Sequence, residues 1–107
     1  MQPTVLFRNA LAPFKDGSLT QAGRALTKHP EVVGLAKHTL RQAYRPAAAI
    51  NRAAHNALKN IMRHGVRPTP RLPRYGEVIQ CQIAGGFGTR WYTAGEGAGA
   101  FIGFISL

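Results

Sequence analysis

Two pairs of residues carry the groups that a reaction at a phosphodiester needs. Lys28 and His29 stand side by side just before Pro30, and Arg90 and Tyr92 lie two apart in a segment rich in β-branched and aromatic residues. An imidazole takes or gives a proton near neutral pH, and a lysine ammonium or an arginine fork stabilises charge on phosphate oxygens. Pro30 disfavours the helical region for His29, so the ring is expected at an exposed helix end beside a second cation. Strand alternation puts Arg90 and Tyr92 on one face, with Thr89, Trp91 and Thr93 on the other. Trp91 suits a core, which leaves Arg90 and Tyr92 pointing outward together, able to hold a phosphate and donate a hydroxyl to it. His38 and His55 read as helix-surface residues and His64 as a helix-end residue.

Charge narrows the partner. Fourteen Lys and Arg face only four Asp and Glu, a net charge of +10 spread along 107 residues. That balance points to a polyanion. Ten of the cations are Arg, whose planar fork matches phosphate in two-point contacts and stacks on bases. No apolar run approaches the roughly 20 residues of a spanning helix, and the opening residues lack the uninterrupted apolar core of a signal peptide. Cys81 is the single cysteine, so an internal disulfide is excluded and a small core residue is expected.

Metal chemistry fits poorly. Asp16, Glu31, Glu77 and Glu96 are scattered one per segment, whereas a two-metal nuclease clusters its acids. The four histidines have no zinc-site spacing, and the glycine clusters lack the strand-loop-helix context of a phosphate loop. RNA permits a route without metal or cofactor, because its own 2′-hydroxyl attacks the adjacent phosphate once a base removes the proton.

The elements that must position these groups follow from periodicity. Residues 1–17 read as an arm or linker, and 18–107 as one domain. Ser18-Leu19-Thr20-Gln21 has capping-box spacing and opens a first helix, with Leu19, Ala22 and Leu26 on its apolar face, ending near Lys28. Pro30 then starts a second helix, marked by Val32, Ala36, Leu40 and Ala43 and running to Tyr44. Pro46 starts a third, stopped by Gly65, with Ile50, Ala54, Leu58 and Ile61 on one side. Its opposite side carries Arg52, Asn56, Lys59 and Arg63 as a ridge, either a solvated face or an RNA contact.

A proline-rich connector bearing Arg67 and Arg71 leads into a strand at Glu77–Ile83. Glycine clusters then turn the chain into strands at Thr89–Thr93 and Phe101–Ile105. Helices first and sheet last predict an α+β fold, the helices packed on one face of an antiparallel sheet of three to four strands.

Read together, the segment from Leu19 to His29, Pro46 to Asn51, Arg74-Tyr75-Gly76, Gly86 to Trp91 and the ending Phe101 to Ile105 resemble C-terminal toxin domains of bacterial polymorphic toxins. Those are the contact-dependent inhibition and Rhs-type effectors, which resemble the barnase, EndoU, colicin and RelE ribonuclease superfamily. The resemblance covers roughly residues 18 to 107. It implies cleavage of RNA, often tRNA, a cognate immunity protein, and delivery as part of an effector that acts in the target-cell cytoplasm. It carries over to Lys28, His29, Arg74 and Arg90, and further to Tyr92 and Thr93. The chain departs from the family pattern in the insertion from Val32 to Tyr44. It also lacks the small acidic residue usual soon after the Arg of the second strand.

The expected activity is therefore a metal-independent endoribonuclease. His29 would exchange the proton, Lys28 and Arg90 would stabilise the phosphate, and Tyr92 would orient it or protonate the leaving oxygen. Arg67, Arg71, Arg74, Thr93, Arg52, Lys59 and Arg63 would grip the backbone. The rival readings are a basic nucleic-acid-binding module without catalysis, in which the same cations only position a backbone, and a module whose basic face docks an acidic protein.

Overall fold

The computed structural model describes residues 2–15, 17–36, 40–43, 46–67, 69, 71–72, 75–93 and 97–105. Among the described residues four α-helices precede the sheet: α1 (Pro3–Ala10), α2 (Gln21–Lys28), α3 (Leu40–Ala43) and α4 (Ala47–His64). The strands β1 (Arg71–Leu72), β2 (Gly76–Gln82), β3 (Gly88–Tyr92) and β4 (Phe101–Ile105) pair antiparallel in sequence order as a four-stranded meander. The α+β expectation holds, with the proline-rich connector supplying the short fourth strand.

One apolar layer joins helices to sheet. Leu6 and Ala10 of α1, Ala22 and Leu26 of α2, and Ile50, Ala54, Leu58 and Ile61 of α4 meet Cys81, Trp91, Phe101 and Phe104 in the core. Trp91 is fully buried and donates its indole N–H to the Leu6 carbonyl at 2.9 Å, as buried indoles require. That bond ties α1 to the sheet, so the segment read as an arm or linker contributes to the core. Pro3 stands in the first turn of α1, where its missing N–H costs nothing.

Two other expectations are corrected. The cap of α2 is Thr20, not Ser18: the Thr20 hydroxyl accepts from the Gly23 N–H at 2.9 Å. Among the described residues the helix expected from Pro30 is interrupted: Pro30–Val33 forms a 3₁₀ turn that Gly34 closes at φ 77°, and α3 covers Leu40–Ala43. A left-handed glycine ends a helix rather than continuing it. Expectations on His38 and Tyr44 fall outside the described residues.

Gly65 does follow the last residue of α4, but in extended backbone. Its role is close approach, because a Cβ there would sit 2.7 Å from both the Cys81 sulfur and the Ile61 carbonyl oxygen. Cys81 itself is buried against that turn, and burial pushes its thiol up from the ordinary value, outweighing the nearby Arg67 charge.

Asn51 locks α2 to α4. Its side-chain oxygen accepts from the Thr20 N–H at 2.9 Å while its amide donates to the Ser18 carbonyl at 2.8 Å. The same oxygen occupies the space that a Cβ on Gly23 would need, so Gly23 is the residue that admits the clamp. Asn51→Ala removes both clamp bonds, the first partly buried and the second exposed, together with the 3.3 Å bond from the Thr20 hydroxyl, and is expected to destabilise the fold by about 1–3 kcal/mol. A urea midpoint indistinguishable from the parent's would refute that role.

Candidate active site

Pro30 ends α2 as anticipated, leaving His29 at φ −132°, ψ 59° as the residue that joins α2 to the 3₁₀ turn. The His29 Nδ1 lies 2.9 Å from Oε2 of Glu31. Both side chains are around two-fifths exposed, so the pair contributes little to stability but fixes the ring's orientation. With Nδ1 engaged, Nε2 is the nitrogen left to exchange a proton with a substrate.

The outer face of the sheet supplies the second half. Across the β2–β3 ladder Gln80 pairs with Arg90 and Val78 with Tyr92; across β3–β4 Arg90 pairs with Gly103. The register between β3 and β4 shifts at Arg90/Trp91, leaving Ile102 as the extra residue of a bulge. Ile102 and the bare Gly103 lie between Arg90 and the end of α2, and all of them face one open cleft.

That cleft has a volume of ≈ 470 Å³. Lys28 and His29 stand at the end of α2, Arg90 and Gly103 on the sheet, and Tyr75 in the turn before β2. The absence of a side chain at Gly103 keeps the floor open: a Cβ there would meet nothing nearer than Ala25 at 4.0 Å. Residues far apart in sequence, 28–29 and 90, thus share one wall-to-wall space.

Arg90 is held by a chain of amides. Its Nε donates to the Gln80 oxygen at 2.9 Å, Gln80 donates to the Gln82 oxygen at 2.9 Å, and Gln82 donates to the Gly86 carbonyl at 3.0 Å. The fork is therefore anchored through Nε, and its terminal nitrogens remain for a two-point phosphate contact.

Tyr92 is not in the cleft wall. Its ring meets Tyr75, which does line the space, edge to face with centroids 6.0 Å apart. Tyr75 and Glu31 are the residues that sequence reasoning missed at the site. The signal for Glu31 was one of only four carboxylates two positions after the histidine; Tyr75 was visible only as part of a motif.

The remaining cations spread elsewhere. Arg52, Lys59 and Arg63 are exposed on α4 as expected, but none lines the cleft, and Lys59 and Arg63 border a separate groove with Phe7 and Met62. Arg67 and Arg71 are exposed, Arg71 opposite Glu77 in the β1–β2 register. The Thr93 hydroxyl donates to the Glu77 carbonyl at 2.7 Å. Arg74 lies outside the described residues. Among the described residues no group of three His, Cys, Asp or Glu is placed to hold a metal ion, and no helix is long and apolar enough to cross a membrane.

A helix-end Lys-His pair facing a sheet arginine over an open, basic cleft is an arrangement for a phosphodiester. Among models of known protein families, that of the CdiA C-terminal tRNase toxin domain matches residues 8–106. The chain belongs to this family. It is thus a tRNase toxin domain of the polymorphic-toxin kind, an endoribonuclease whose relatives are delivered into target cells. No curated protein and no solved structure matched the chain. Within the toxin domain, the matched span begins inside α1 and includes every element that contributes to the cleft.

Proposed function

We propose that this tRNase toxin domain cleaves its RNA without a metal ion, at the cleft between the end of α2 and the outer face of the sheet. The observation that carries the reading is the convergence of Lys28, His29 and Arg90 on one open space, with His29 oriented by Glu31 and Arg90 by Gln80.

In the proposed reaction His29 takes the proton of a 2′-hydroxyl through Nε2. The 2′-oxygen then bonds to the adjacent phosphorus, the bond from phosphorus to the 5′-oxygen breaks, and that oxygen takes up a proton from solvent water. Products are a 2′,3′-cyclic phosphate and a 5′-hydroxyl. Lys28 and the terminal nitrogens of Arg90 stabilise charge on the non-bridging oxygens, where electrostatic preorganisation contributes most. Tyr75 lines the cleft and takes the phosphate-orienting role; Tyr92 acts through it, as the ring in contact with it. Arg67, Arg71 and the hydroxyl of Thr93 near the sheet and the α4 ridge of Arg52, Lys59 and Arg63 hold the RNA backbone further out, and Arg74 takes the same role on its place in the sequence alone. Action in the target-cell cytoplasm and a protective immunity protein that covers this basic cleft complete the reading.

The test is incubation of the purified domain with total tRNA in EDTA, followed by end-group analysis. Discrete fragments ending in cyclic phosphate support the mechanism. Cleavage that stops on chelation and returns with magnesium refutes metal independence, and tRNA that shifts in a gel but stays intact favours a binding module.

A further inference from the structure

The loop read from sequence as linker holds an aromatic ring beside the cleft. Phe14 is pinned on both flanks. Its N–H donates to the Leu19 carbonyl at 2.8 Å, the Gln21 N–H donates to the Ala12 carbonyl at 2.8 Å, and the Gln21 side chain donates to the Pro13 carbonyl at 3.1 Å. Pro13 also bridges Thr20, the residue that Asn51 clamps. A short loop so closely tied presents Phe14 in one place.

Two cations converge on that ring. The Arg24 guanidinium carbon stands 5.3 Å from its centroid and the Lys15 ammonium 5.4 Å, within cation–π range. Arg24 is also fixed at its edge, donating to the Thr27 hydroxyl at 3.1 Å. The guanidinium is therefore held in one place beside the phenyl ring, and Arg24 stays partly exposed.

The position matters as much as the plane. Phe14, Arg24 and Lys28 line a recess that shares Ala25, Lys28 and Ile102 with the cleft. On α2, Gln21, Arg24, Ala25 and Lys28 fall at i, i+3, i+4 and i+7, a single stripe that ends beside His29. Arg24 and Lys28 are about 6 Å apart along the helix axis, comparable to one step of an extended nucleotide chain.

We propose that this recess is a second nucleotide subsite, which takes an unpaired RNA base next to the scissile phosphate. The base stacks on the Arg24 plane, and its phosphate lies between Arg24 and Lys28. Aromatic rings and arginine planes are the surfaces on which proteins stack splayed single-stranded bases. The subsite gives the toxin domain a requirement for an unpaired nucleotide beside the cut. It rests on the reading of the cleft as the cleavage site, and the test separates the two.

The affinity of single-stranded RNA from three to eight nucleotides is measured by fluorescence anisotropy with the His29→Ala protein, so that binding is read without turnover. Phe14→Ala and Arg24→Lys, each added to it, are expected to weaken the octamer by about 5- to 100-fold, while Phe14→Tyr retains affinity. Arg24→Lys keeps the charge and removes the plane, so its loss identifies stacking rather than net charge. Octamer affinity unchanged in both Phe14→Ala and Arg24→Lys overturns the subsite, even where the parent cuts RNA. A parent that binds through Phe14 and Arg24 but does not cut leaves the subsite standing and removes the cleavage reading. Absence of RNA binding removes both.

Discussion

His29→Ala is expected to slow RNA cleavage by about 10²–10⁴-fold, the range over which a positioned proton-transfer group acts. His29 is the one imidazole lining the cleft among the described residues, so no neighbouring histidine there can take over. The loss should fall mainly on the chemical step, because a half-exposed ring at a helix end contributes little to packing. Single-turnover cleavage of tRNA at saturating protein separates this from weaker binding. Glu31→Ala should cost less, below about 10²-fold, since the carboxylate holds Nδ1 and moves no proton to the substrate itself. A His29→Ala protein that cuts at the parent's rate would place the reaction away from this cleft.

The chain position of His29 was legible because a local rule fixes it. Proline acts on the residue before it whatever the tertiary context, and so the end of α2 and the exposure of His29 followed from Lys28-His29-Pro30 alone. The alternation around Arg90 and Trp91 was equally local: one side of β3 enters the core with Trp91 and the other faces the cleft with Arg90. Strand period therefore placed Arg90 on the face opposite Trp91, the face on which the cleft lies.

What stayed hidden depends on contacts between distant segments. The apolar pairs Leu6–Ala10 and Phe7–Leu11 already carried helical spacing, but the burial of α1 is decided by Trp91, 85 positions away from Leu6. The long helix expected after Pro30 stops at Gly34, whose backbone is left-handed. Tyr92 shares a face with Arg90, yet it is Tyr75, in the turn before β2 and in ring contact with Tyr92, that lines the cleft, and alternation says nothing about turns. The basic ridge of α4 was read correctly as exposed. Whether it bordered the cleft depended on how α4 docks, and it borders a groove with α1 instead.

Arg90→Lys is expected to lose about 10²–10³-fold in kcat, close to the loss for Arg90→Ala and comparable to removal of an oxyanion donor. The charge survives in the lysine variant, but the geometry does not. In the proposed reaction Arg90 meets the phosphate as a fork whose Nε already donates to Gln80; an ammonium on a flexible stem cannot donate to Gln80 and also offer two parallel donors to the phosphate. Gln80→Leu tests the anchor alone. It leaves the guanidinium intact and removes the bond that aims it, together with the bond from Gln80 to Gln82. A smaller loss is expected there, on the order of tenfold and confined to kcat, because an unanchored fork still binds phosphate but spends less time aligned. If Gln80→Leu instead raised KM with kcat unchanged, Arg90 would be acting as a general phosphate grip, and the amide chain as ordinary strand-surface bonding. Equal activity of Arg90→Lys and the parent would go further, because it would show that the cleft needs only a positive charge at this position and that His29 and Lys28 stabilise the reacting phosphate without a fork.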